Sequence, residues 1–251
     1  MTCSNQHFVG NGEVLIRAIG DNCGAAAESF RKVGDADELM ISTSTDRGTH
    51  FESTSGQRRK SATWINSTDT TFSLSVTDFN VGNLADLLLG TDSGAVAGAA
   101  VVDEAVSVPS LGWVFVTYPG ITSVTVTSNG GLNTLVLGTD YNLDSRNGGI
   151  EIIDMTDVVA NIIEVDYTHV GVEGIVSALQ NSSQDFELRF NGVNLNSPNK
   201  PVIVQVFRAK IYAAEELSLI GQDITKLSFT GDILVDSNDN TYKVIMGNAV
   251  A

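Results

Sequence analysis

Cysteine is almost missing from this chain: Cys3 and Cys23 are the only two in 251 residues. Two thiols can form at most one bridge, so neither a disulfide framework nor a zinc quartet is available. A reduced, intracellular setting is the simpler expectation. Histidine is as scarce. His7, His50 and His169 are isolated in sequence and stand among polar residues, which predicts surface histidines and no metal centre. Basic residues are outnumbered, 14 Lys+Arg against 30 Asp+Glu, for a net charge of −16. Such a surface is excluded from wrapping duplex DNA, which requires positive contact with phosphate. No stretch is long and apolar enough for a membrane span, and MTCSNQHFVGNG lacks the basic start and apolar run of a secretory signal.

The motifs of common catalysts are absent as well. No Gly-x-Gly-x-x-Gly opens a helix, and neither a phosphate loop nor a Gly-x-Ser-x-Gly elbow occurs. Asp35 with Asp37, and Glu215 with Glu216, are carboxylate pairs in an acidic chain and read as solvated. Asp236–Asn240, DSNDN, resembles half a calcium loop but lacks its glycine and closing glutamate, which leaves a turn. These absences predict a protein that is not an enzyme and takes no cofactor.

What remains is β-sheet patterning. Hydrophobic residues make up 42% of the chain and charged residues 18%, which fits a folded protein, and glycine far outnumbers proline. Glu13–Ile19, Glu38–Thr45 and Thr70–Thr77 alternate as strands. Pro201–Tyr212 is apolar on both sides and predicts a central strand covered on two faces, with Val202, Val204, Val206 and Arg208 opposite Ile203, Gln205, Phe207 and Ala209. Lys226–Phe229, Gly231 with Ile233–Val235, and Thr241–Met246 follow as strands, and Asp185–Phe190 precedes them. One short helix is expected, with Leu84, Leu87 and Leu88 on its apolar stripe, Asn80 or Asn83 as N-cap and Gly90 as C-cap. Asp46–Ala62 is polar, with little periodicity, and reads as a long loop that is either functional or mobile. It holds Gly48, Phe51, Glu52, Gly56 and the densest basic cluster, Arg58, Arg59 and Lys60, which suits ion pairing to the acidic surface of a neighbouring copy.

The chain divides into 1–105, 106–170 and 171–251. The small, Ala/Gly-rich Thr91–Ala105 reads as a boundary. The middle piece has strands at Trp113–Tyr118, Ser123–Thr127, Asn133–Val136, Tyr141–Leu143, Gly149–Ile153 and Asn161–Tyr167, joined by Asn-Gly and Gly-Gly turns. It reads as a small β-sandwich-like module inserted in a larger domain. Charge concentrates there: Thr91–Val170 carries ten acidic residues against Arg146 alone.

Four stretches resemble the major tail tube proteins of tailed bacteriophages: EVLIRAIG with FRKVGDADELMIS, TDTTFSLSVTDFNVGNLADLLLG, FELRFNGVN through PVIVQVFRAKIY to GDILVD, and GTDYNLDSRNGGIEI. The resemblance implies a mainly β fold, a tail-tube-type β-sandwich or barrel with one short flanking α-helix, the inserted module lying outside. It implies a structural protein of the virion, made in the host cytoplasm, whose copies form hexameric rings stacked into a tail tube. The channel would pass double-stranded DNA, without specific binding, during ejection. Its partners would be itself and other tail proteins, such as the terminator, tape measure, baseplate or distal tail protein. Asp46–Ala62 then takes the place of an inter-ring stacking loop or hairpin. Glu38, Asp46, Glu52, Asp185 and Glu187 become the acidic lining of the lumen, and Val202, Val204, Val206 and Phe207 the strand of core and assembly. Two alternatives stand beside this: another ring-forming tail component, such as a terminator or injection-system tube, and a host-surface or carbohydrate-binding β protein. The second rests on Trp113, Tyr118, Tyr141 and Tyr167 and requires at least two aromatic rings exposed on one face.

Overall fold

A computed structural model describes residues 8–19, 28–54, 56, 58–196, 200–214 and 216–248. Cys3, Cys23, His7 and Glu215, on which sequence expectations fell, lie outside them. The fold is mainly β, with one α-helix among the described residues and several antiparallel sheets. In chain order the first strands are β1 (Gly10–Ile19), β2 (Arg31–Lys32), β3 (Ala36–Glu52), β4 (Arg59–Val76) and β5 (Thr91–Asp92), with helix α1 (Val81–Leu87) before β5. Next come β6 (Val96–Ala97), β7 (Ala100–Ser107), β8 (Gly112–Phe115), β9 (Ile121–Ser128), β10 (Tyr141–Asp144), β11 (Gly149–Ile152), β12 (Ile162–His169) and β13 (Gly171–Val172). The last are β14 (Val176–Ser177), β15 (Asp185–Asn194), β16 (Lys200–Tyr212), β17 (Leu227–Ile233) and β18 (Tyr242–Met246).

The chain forms two compact units, Met1–Asp92 with Val176–Ala251, and Ser93–Ile175. The inserted unit thus begins earlier and ends later than the expected 106–170. The physical reason is pairing: β7 lies against β12, and β6 against β13, so the stretch read as a boundary is sheet. Its small residues hid this, as did Asp103, which adopts φ 54° at a register shift and donates its N–H to Asp166.

The larger unit is an eight-stranded sheet in the order β2-β1-β15-β16-β17-β4-β3, with β18 also on β16. It is open, so no barrel closes. β16 is central, as the sequence predicts, but its second edge is shared: Val202–Val206 pairs with β18 and Ala209–Tyr212 with β17. Its faces differ from the alternation expected. A bulge sets Phe186 opposite Ala209 but Leu188 opposite Val206, leaving one extra residue at Phe207–Arg208. Ala209 and Ile211 are thereby buried in the same core as Val206. One face only is apolar, joining Ile16, Phe72, Leu74, Leu188, Phe229 and Ile233 to Leu87 and Leu89 around α1. The other face carries charge, with Arg17 on Glu187, Gln205 on Glu187, and Arg208 and Lys210 on Asp185.

Helix α1 starts where Asn80, in extended conformation, accepts the Asn83 N–H at 2.9 Å. Its buried face is not the leucine stripe expected: Asn83, Ala85 and Leu87 are buried, while Leu84 and Leu88 are half-buried. Asn83 sets this orientation, donating to the Val33 and Asp78 carbonyls at 2.7 and 2.9 Å and accepting from Arg31 at 2.6 Å. Arg31 also pairs with Asp86, whose carboxyl is raised above its ordinary value by burial, against the lowering effect of that guanidinium. The left-handed residue that ends the helix is Leu89, φ 46°, rather than Gly90.

The inserted unit is a sandwich of two three-stranded sheets, β10-β11-β8 and β7-β12-β9. Ile150, Ile152 and Tyr141 of one sheet share a core with Val126, Ile163 and Val165 of the other. Asn133–Val136 is not a strand but holds a single bridge, Thr127 to Thr134. His169, expected at the surface, is buried: its ring stacks on Tyr118 with centroids 4.3 Å apart, and Nδ1 accepts the Gly171 N–H.

Candidate functional site

The residues expected to form a loop at Asp46–Ala62 instead continue the two longest strands of the protein. β3 and β4 pair from Ala36–Val76 to Glu52–Arg59. The base of this hairpin obeys strand physics: Thr70, Phe72, Leu74 and Val76 are buried in alternation. Beyond Thr70 the alternation stops, and every residue of Arg59–Asp69 is exposed. β17 pairs with β4 only over Thr71–Val76, so among the described residues the distal ribbon has no third strand. At about 3.3 Å per residue, that ribbon reaches roughly 35 Å past the sheet.

Side chains tailor the ribbon locally. The Trp64 indole lies across Gly48, its cross-strand partner, where a Cβ would come within 2.3 Å of the ring. Two bulges fall along it. At the first, Asn66 donates to Asp46 at 2.9 Å; at the second, Ser61 donates to the His50 carbonyl at 3.3 Å. Bulges twist a ribbon and interrupt indiscriminate edge pairing. Trp64 is 51% and Ile65 65% exposed, and Phe51 is exposed nearer the tip. Arg47, Arg58, Arg59 and Lys60 give this end a positive balance within a chain of net charge −16.

A second surface lies in the same unit. The open sheet leaves a groove of about 550 Å³ lined by Leu39, Ile41, Val202, Val204, Val244 and Met246, among others. Every residue of β18 is exposed, and among the described residues no strand pairs with its outer edge. Such an edge is a template for another chain.

The expected site residues therefore separate. Asp46, Gly48, Phe51, Glu52, Gly56, Arg58, Arg59 and Lys60 come together on the hairpin and its tip. Glu38 and Asp46 are exposed and Glu52 half-buried, all on β3. Asp185 and Glu187 are not surface groups: they are 7% and 4% exposed and held by Arg208, Lys210, Arg17 and Gln205. Neither can line a channel, because each already serves as an internal counter-ion. Val202 and Val206 are buried, Val204 lines the groove, and Phe207 lies on the opposite face beneath the Lys243 ammonium. Asp37, one of the carboxylates read as solvated, pairs with Lys226 at 2.5 Å and raises that ammonium above its ordinary value.

In the insert, the aromatic set also changes. Tyr141 and Tyr167 are core residues; burial, then the hydrogen bond to Glu104, push the Tyr167 hydroxyl up. Tyr118 is half-buried on His169. Trp113 is exposed, and so is Phe115, which sequence reading did not single out. The signal was available: alternation in Gly112–Phe115 puts both rings on one face.

Among the described residues, no group of three His, Cys, Asp or Glu side chains is placed to hold a metal ion. No helix there is long and apolar enough to cross a membrane. A family model described as "Protein of unknown function UCP028589" matches residues 7–245. No curated protein matches the chain.

Proposed function

The chain belongs to this UCP028589 family, and we propose that it is a structural protein that assembles with its own copies as the subunit of a phage tail tube. One observation supports this above the others: the distal half of the β3–β4 hairpin has a backbone ladder, broken only by two bulges, but no buried face. An isolated two-stranded ribbon is at best marginally stable in water. Trp64 and Ile65, adjacent on β4, face opposite sides of the ribbon, so protein contacts on both sides would supply the missing burial, and a second copy brings an apolar groove and an open β18 edge.

In this reading the subunits form hexameric rings through sheet edges, and the hairpin reaches the next ring. The basic tip meets the acidic surface of its neighbour, which steers encounter more than it adds affinity. Glu38, Asp46 and Glu52 remain candidates for an acidic lumen through which double-stranded DNA slides without adhering. The tape measure, terminator and distal tail proteins are the other expected partners, and the virion tail the expected location.

Negative-stain electron microscopy of the purified full chain, with sedimentation velocity, tests the proposal. Tubes or stacked rings with a central channel are the expected result. A monomer that persists at high concentration overturns it, and single rings that never stack favour a terminator-like component.

A further inference from the structure

We propose that the outer face of the β10-β11-β8 sheet in the inserted unit binds a neutral pyranose chain. This assignment does not rest on the tube reading. Trp113 and Phe115 stand on the edge strand β8, 49% and 60% exposed, two residues apart and on the same face. Their strand partners are Glu151 and Gly149. Across β11 the same two rows continue to Asn142 and Asp144 of β10. The face therefore consists of one row Trp113–Glu151–Asn142 and one row Phe115–Gly149–Asp144.

Gly149 decides how the rings lie. A Cβ there would stand 3.1 Å from the indole and 3.2 Å from the phenyl ring of Phe115. Without one, both rings close over Gly149 while remaining about half exposed, on positions about 7 Å apart along the β8 backbone. That is on the order of one pyranose unit. The face of an aromatic ring is negative, and the C–H bonds of a sugar ring are polarised positive by their oxygens, so the two stack.

The neighbouring strands β11 and β10 supply what the hydroxyl rim of a sugar needs. Glu151 accepts from Asn142 Nδ2 at 3.0 Å through one carboxylate oxygen, which fixes the pair as a preformed polar ledge. Asp144 is held by Asn147 Nδ2 at 2.7 Å in the turn that follows β10. An apolar strip beside a rigid polar strip matches a ligand with a C–H face and a hydroxyl edge. It matches a peptide strand less well, since the aromatic pair offers a single donor, the Trp113 indole N–H, and no strong acceptor. Charge then selects within the sugars. Residues 93–175 hold ten carboxylates and one base, Arg146. Sulfated or phosphorylated chains, and anionic membrane surfaces, are repelled.

Isothermal titration calorimetry of the full chain tests this, with hexasaccharides of β-1,4-linked glucose and of β-1,4-linked N-acetylglucosamine as probes and a sulfated hexasaccharide as the charged counterpart. Saturable binding of a neutral probe is expected, with the sulfated one weaker. Trp113→Ala and Phe115→Ala each lower affinity about fivefold or more, the scale of one aromatic contact. Gly149→Ala lowers it without changing charge, by tipping the rings, while Leu132→Ala, an exposed apolar change off this sheet, leaves it unaltered. Circular dichroism of each variant separates loss of the face from loss of the fold. The proposal is overturned if neither neutral probe binds at millimolar concentration. It is overturned too if the folded Trp113→Ala/Phe115→Ala double variant binds as well as the parent, or if the sulfated probe binds as tightly. Failure of tube assembly bears on none of these outcomes.

Discussion

The base and the distal half of the β3–β4 hairpin share two strands and one antiparallel ladder, yet only the base has something to pack against. At the base, Phe72, Leu74 and Val76 enter the core beneath α1. In the distal half, Trp64 and Ile65 meet solvent. The ladder alone therefore does not explain why the ribbon is there. Backbone hydrogen bonds exchange for bonds to water and contribute little net, whereas apolar burial contributes about 25 cal/mol per Å². In the proposed assembly, so long an uncovered ribbon would gain its burial from a neighbouring copy. The inserted unit differs, because its two sheets bury their inner faces against each other.

The sharpest way to break this comparison is to put the same charge on each half of one strand. Leu74→Asp buries a carboxylate in the core and should cost about 5 kcal/mol or more, enough to abolish the cooperative urea transition. Ile65→Asp should shift that transition by no more than about 0.5 kcal/mol yet prevent assembly under the microscope. Equal destabilisation by both would mean that the ribbon belongs to the core of its own subunit.

A smaller effect is expected on the charged face of the sheet. Glu187→Ala leaves Arg17 and Gln205 without their partner, but Arg17 is about a third exposed and water recovers part of the loss. The expected cost is about 2 kcal/mol, read as a lower urea midpoint, with dissociation of rings a secondary result. Were Glu187 a lumen residue, the substitution would leave stability unchanged. Reversing Arg58, Arg59 and Lys60 to Glu should leave the fold intact, judged by circular dichroism. It should slow assembly about tenfold at low salt, with the difference shrinking as salt rises.

The smallest effect is one of pH. In the insert, the Asn147 side chain holds Asp144 below the ordinary carboxylate value, and Thr156 does the same for Asp154. A lowered folded-state value means stabilisation that is present above the unfolded value and lost as pH falls through the lowered one. Asp86 has the opposite sign. Its raised value means a contribution present below the unfolded value and lost as pH rises through the folded one. As pH falls, Asp86 is therefore protonated first, which favours the helix of the larger unit, and the turns of the insert loosen only below the ordinary carboxylate range. Amide exchange resolved by peptide, from about pH 6 down to about pH 2, checks the order.

Much of the fold was legible in local pattern. Alternation in Thr70–Thr77 located the buried base of β4, and the Asn80 cap and leucine-rich run located α1. The distal ribbon was not legible, because period-2 patterning records burial and this segment has none. Neither was the bulge at Phe207–Arg208, which moves Ala209 to the face of Val206. A one-residue offset has no signature in composition, yet it exchanges the two faces of everything that follows.

By itself the sequence determined the class of the protein: a mainly β, acidic chain with one short helix, an inserted sandwich and no recognisable catalytic motif. Those properties follow from local alternation and from summed charge. Tertiary structure decided which polar residues are surface and which are structural. Asp185 and Glu187 look like any other carboxylates in an acidic chain until Arg208, Lys210 and Arg17 close over them from other strands. Arg58, Arg59 and Lys60 look like a loop until the ladder carries them to the end of a ribbon. The reason is the same in both cases. Burial is set by partners distant in sequence, and no window of neighbouring residues contains them.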